Sequence, residues 1–155
     1  MPDTVARALG MGAIAGFRSL AAPAALSRAA SEGRIGSLED TPFAALGSSG
    51  VATVLLAFEV GEMLVDKLPV TPSRTSPPPL FGRAASGALV GAALFASEGR
   101  RIAVGVALGA TAAVVSAYAG ERLRLQAVER LGIPDPVVAL LEDGIVLLAG
   151  SRLLR

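Results

Sequence analysis

The chain contains no cysteine, no histidine and no tryptophan, and its single tyrosine is Tyr118. Without cysteine there is no disulfide framework, no thiol nucleophile and no thiolate metal site. Without histidine it lacks the commonest metal ligand and the commonest general base. Aromatic residues make up only 4%, too few for a strong interfacial belt, so depth in a bilayer has to be read from charges and prolines. Charge is scarce as well: 17% of the 155 residues, against about 25% in a soluble domain. The net charge of +1 gives no reason to expect nucleic acid as a partner.

What the chain does have is apolar bulk. Hydrophobic residues reach 52% and the mean hydropathy is +0.60. Ala, Val, Leu and Gly supply most of it, a composition suited to helices that approach closely in lipid. A soluble bundle would show polar stripes every few residues, and long stretches here show none. A spanning helix needs about 20 mainly apolar residues, and five segments qualify. The first runs from Val5 to Ala29, with a kink expected at Pro23. Arg18 at its centre argues against a cleaved signal peptide. After a polar loop (Ser31 to Asp40) the second runs from Phe43 to Val65, free of charge as far as Phe58. The third spans Leu80 to Ser97, the fourth Ile102 to Ala119, and the fifth Pro136 to Leu154.

The fifth segment can be weighed. Its Leu, Ile and Val residues favour insertion by about 5 kcal/mol together, while Glu142 and Asp143 would cost about 3 kcal/mol each if charged and central. Such a helix is stable only with its acids neutral, paired or facing water. The expected fold class is therefore all-α: a polytopic helical membrane protein, residues 1–155 forming one integral domain with about five transmembrane helices. Between helices two and three, Lys67 to Leu80 holds five of the ten prolines. It is expected to be irregular, either a plain linker or a re-entrant loop, since such backbone survives at membrane depth only where it lines a cavity. The Lys and Arg residues divide almost evenly between the two sides, faintly favouring a cytoplasmic N-terminus.

At about 1.5 Å per residue, the charges inside these segments converge. Glu59, Glu62 and Asp66 are spaced as one acidic stripe near the end of helix two, with Lys67 beyond. Arg83 and Ser86 open helix three on the same side, Glu142 and Asp143 lie about 10 Å into helix five, and Arg18 with Ser19 sits midway along helix one. An unpaired Arg at that depth is costly, so Arg18 is expected to contact an acid on helix two or five. Ser73, Arg74 and Thr75 set two hydroxyls around a guanidinium, a chemistry suited to phosphate or carboxylate. No nucleophile–base pair, phosphate-cradling glycine loop or metal-ligand spacing occurs, and no cofactor is expected. Small-xxx-small pairs stand at Gly12/Gly16, Gly87/Gly91 and Gly105/Gly109, the mark of close helix packing.

Several of these residues carry a resemblance. Glu59-Val-Gly-Glu62, Asp66-Lys-Leu-Pro69, Pro72-Ser-Arg-Thr75, Gly82-Arg83 and Ser86-Gly-Ala-Leu-Val-Gly-Ala92 resemble the signature of an uncharacterised family of small bacterial integral membrane proteins, the domain-of-unknown-function family numbered 4126. Gly12-Ala-Ile-Ala-Gly-Phe-Arg-Ser19 and Pro134-Asp-Pro-Val-Val-Ala-Leu-Leu-Glu-Asp143 resemble the family's two ends. The resemblance implies a bacterial integral membrane protein, and brings no activity with it. The expected function is a small transport or channel-like protein in the bacterial inner membrane, with an intramembrane polar site for a proton, cation or small anionic solute. Its partners would be the lipid bilayer and further copies of itself, packed through the glycine faces. The alternatives are an enzyme or binder acting on a lipid phosphate through Asp66, Lys67, Ser73, Arg74 and Arg83, and a structural partner subunit.

Overall fold

The computed structural model describes residues 4–65, 73 and 75–154. Among the described residues the fold is all-helical. The α-helices are α1 (Thr4–Phe17), α2 (Ala21–Ser31), α3 (Ser49–Val65), α4 (Pro77–Ser97), α5 (Ile102–Leu131) and α6 (Asp135–Leu153), with a short 3-10 turn at Ala44–Gly47 before α3.

The first apolar segment is not one helix. It breaks at Arg18-Ser19-Leu20 and continues as α2. Pro23 explains the place: it has no N–H to give to the carbonyl four residues back, and its ring clashes with that carbonyl. That carbonyl is Ser19's, inside the break. Pro23 itself lies in the first turn of α2, where no donor is needed.

The two halves run back along each other. Near the start of α1, the Thr4 hydroxyl donates to Glu98 and Arg7 Nε donates to the Leu153 carbonyl at 3.0 Å. Just past the end of α2, Arg34 Nη1 donates to the Leu154 carbonyl at 3.3 Å, and a Cβ on Gly36 would come 2.3 Å from the Ser97 carbonyl oxygen. Both outer ends therefore meet the last residues of α4 and α6. α1 and α2 form a hairpin that enters and leaves the fold at one end, here called the terminal end. The expected first crossing is replaced by this hairpin, and α3 to α6 alone run from end to end.

The other boundaries shift for local reasons. The second segment becomes helical only at Ser49, because the Ser48 hydroxyl accepts the Val51 N–H at 3.2 Å, an N-cap. α4 begins at Pro77, since prolines are tolerated in a first helical turn. α5 outruns its apolar stretch by a dozen residues and stops at Gly132, whose φ of 65° is left-handed.

α1, α4 and α5 pack backbone to backbone. A Cβ on Gly91 would stand 2.1 Å from the Gly105 carbonyl oxygen, one on Gly109 2.0 Å from that of Gly87, and one on Gly12 2.5 Å from that of Gly109. The three glycine pairs are thus consumed inside one protomer, and are not free to join copies as the sequence suggested. Pro77–Ser97 and Ile102–Leu131 are long and apolar enough to cross a membrane, by length and composition. Large apolar side chains stand bare around the bundle, among them Phe58, Leu64, Phe81, Leu131, Ile145 and Leu148.

Candidate functional site

A helix end leaves backbone carbonyls without partners and a helix start leaves N–H groups without them. The break between α1 and α2 creates one of each in the interior, and side chains from α3 and α4 meet both. Arg83 of α4 donates through Nη1 to the Gly16 carbonyl at 2.9 Å and the Phe17 carbonyl at 2.5 Å, closing the end of α1. Glu62 of α3 closes the start of α2: one carboxylate oxygen accepts the Ser19 N–H at 2.9 Å and the Ser19 hydroxyl, the other the Leu20 N–H at 2.8 Å. The Ser86 hydroxyl donates to the Ser19 carbonyl, the group Pro23 leaves unserved. A cation at the end of one helix and an anion at the start of the next also complement both helix dipoles.

Arg18, at the apex, is 1% exposed. Its Nη2 bonds Asp143 of α6, itself buried. So the hairpin tip is tied to three helices by Glu62, Arg83, Ser86 and Asp143. Asp143 stands ten residues from Leu153 and Arg83 fourteen from Ser97, which sets the tip about 15–21 Å from the terminal end.

Glu59 is different. It lies one turn before Glu62, is 4% exposed, and among the described residues no hydrogen bond or ion pair reaches its carboxyl group. The charges that act on it are those of Glu62, Arg18 and Asp143. It lines a groove of about 710 Å3 between α2, α3 and α6, with Ala24, Thr53, Leu56, Val146 and Gly150 along the walls. The outer part of the groove, toward the terminal end, carries Arg28, Glu32 and Arg34. Arg28 Nε donates to Glu32 at 2.9 Å and Arg34 Nε at 2.7 Å. The Arg28 hydrogen bond, with that of Arg34, holds the Glu32 carboxyl below the usual carboxylate range.

The remaining sequence candidates do not join this cluster. Glu142 follows the next helical direction, about 100° around α6 from Asp143. It lies 3.9 Å from Arg124 and faces a second, apolar recess of about 500 Å3 between α5 and α6. Arg124 also grips Asp135 through two bonds of 2.7 Å. The Thr75 hydroxyl donates to Glu121 on α5, and Ser73 is exposed with its hydroxyl 3.5 Å from that of Thr75. Asp66, Lys67 and Arg74 lie outside the described residues, as does half of the proline loop; in the described half, Pro77 to Leu80 are not irregular but form the first turn of α4. Sequence reasoning missed the groove's charged outer part, although Arg28 and Glu32 stand at the i,i+4 spacing of a helical ion pair. It also missed that the hairpin carbonyls are what Arg83 binds. Among the described residues no group of three or more acidic side chains is placed to hold a metal ion.

Residues 5–151 match the family described as "Domain of unknown function (DUF4126)". The chain belongs to this family. No curated protein and no solved structure matches. Within this DUF4126 chain every residue that builds the hairpin tip and the groove beside it falls inside the matched span.

Proposed function

We propose that this DUF4126 protein is a small integral membrane transport or permeation protein, in which the α1–α2 hairpin is a re-entrant element and Glu59 is the binding carboxylate. The observation that carries this reading is Glu59 itself: a buried acid that takes no part in holding the hairpin, at the inner end of a groove. Ionisable groups at membrane depth are expensive and functional by default. The surrounding charges have evident structural work, since Glu62 and Arg83, with the Ser86 hydroxyl, serve the broken backbone and Arg18 meets Asp143. An irregular turn at that depth is tolerated only where its polar groups are satisfied or line a cavity.

α3 to α6 would cross the bilayer, and lipid would cover the bare apolar side chains. α3 and α6, at about 26 Å and 28 Å, match a hydrocarbon core of about 30 Å. The reading places the protein in a bacterial cytoplasmic membrane. A single bundle this small leaves little room for a private pathway, which favours a homo-oligomer whose contacts use surfaces other than the glycine faces. An anionic solute is disfavoured, because Arg18 and Arg83 already serve the tip.

The test is a flux measurement on reconstituted vesicles, comparing wild type with E59Q. Loss of flux in a variant that keeps its helix content and its assembly supports the reading. Flux equal to wild type removes Glu59 from it. Recovery of the chain as a soluble monomer without detergent ends the membrane reading altogether.

A further inference from the structure

The chemistry around Glu59 narrows what it can bind. A hard metal cation needs about six oxygen ligands, and the groove offers few beyond the two of Glu59. Beside Glu59 the walls are Ala24, Leu56, Val146 and Gly150, and Thr53 adds one hydroxyl oxygen, too few for such a shell. An anion would meet a carboxylate with no cation bonded to it. A proton needs one oxygen and no coordination shell.

Resting on the transport reading above, we propose that the ligand is the proton, that Glu59 is its carrier, and that it arrives through the groove from the terminal end. A hydronium ion in the groove gives its proton to a Glu59 carboxylate oxygen, leaving water and a neutral carboxyl group. Release is the reverse step, and no other reactant is consumed.

The groups facing Glu59 fit this role. On its own helix the charged neighbour is Glu62, fixed by the hairpin's N–H groups; from the tip comes Arg18 and from α6 Asp143. Along the groove the other titratable groups are Arg28, Glu32 and Arg34, which are bonded to one another. Among the described residues that line the groove, Glu59 is thus the one acid whose carboxyl group carries no hydrogen bond.

The experiment uses the full chain in vesicles loaded with a pH-sensitive dye, with a potassium diffusion potential as the driving force. The expected result is proton entry for wild type, entry at the rate of empty vesicles for E59Q, and entry retained by E59D, which keeps an acid at the position. Dicyclohexylcarbodiimide, an apolar reagent for protonated carboxyl groups, is expected to block wild-type entry and to leave its adduct on Glu59 in a mass-mapped digest. This arm needs no variant to fold. If sodium, potassium or chloride passes while protons do not, or E59Q conducts protons like wild type, the proton assignment is overturned and the transport reading stands. If no ion passes at all and Glu59 takes no adduct, both are overturned.

Discussion

Glu59 and Glu62 lie one turn apart on α3, yet replacing each by glutamine should have opposite consequences. Glu62 serves three donors with two oxygens. In E62Q the remaining carbonyl oxygen can keep the Ser19 N–H and hydroxyl, but the new NH2 group then faces the Leu20 N–H, donor against donor. One charge-assisted bond is lost and a half-buried N–H is stranded, about 2–3 kcal/mol. For a chain of this length about 1 kcal/mol corresponds to 2–4 °C, so E62Q should melt on the order of 5–10 °C lower. Among the described residues Glu59 has no hydrogen bond to lose, and burying a charge without one is unfavourable. E59Q should therefore melt within about 1 kcal/mol of wild type, or above it. The assay is thermal unfolding of the two detergent-solubilised variants, followed by circular dichroism at one protein and detergent concentration. Equal melting of the two variants, or a loss of several degrees confined to E59Q, would refute the division of labour between these acids.

Removing either partner of the Arg18–Asp143 pair takes from a buried charge the counter-charge it bonds, so R18M and D143L should each cost about 3–5 kcal/mol; the double variant R18M/D143L should recover part of that loss in the same melting assay. G91A should destabilise by about 1–3 kcal/mol, since its Cβ would meet the Gly105 backbone at 2.1 Å and neither helix can yield without parting. G144A is the contrast: nothing lies within 4 Å, and exchanging a mid-helix glycine for alanine should stabilise by about 1 kcal/mol. Melting curves that order these two the other way would contradict the glycine-mediated packing of α4 on α5.

Much of the fold was legible because apolar runs report helices directly. The start of the fifth segment was read to within a residue, its proline being an ordinary first-turn residue, whereas the third begins three residues early because Pro77 to Pro79, expected in the irregular loop, form its first turn. The end of α5 was not, because its last turns are amphipathic and hydropathy drops at Ala119 although the helix does not. The hairpin escaped because hydropathy measures how much apolar chain there is, never whether it turns back. Pro23 signalled a kink, but a kink becomes a reversal only when partners exist for the freed groups, and Glu62, Arg83 and Ser86 are distant in sequence. The convergence of charges was legible from depth alone for Arg18, Ser19, Glu62, Arg83, Ser86 and Asp143. Depth says nothing of angle, so Glu142 was grouped with Asp143 although it points elsewhere. The distinction between Glu59 and Glu62 was invisible for the same reason: spacing makes them one stripe, and only the turn facing them gives one of them bonds.

The central structural claim is that residues 5–29 enter and leave at one face, and a cysteine-free chain permits a direct test. Single cysteines at Ala6, Ser37 and Ser73, all exposed positions, can be labelled with a membrane-impermeant maleimide in right-side-out and inside-out membrane vesicles. The account predicts that A6C and S37C label from the same side and S73C from the other. Labelling of A6C and S37C from opposite sides would restore a single crossing helix and contradict the re-entrant hairpin on which the site depends.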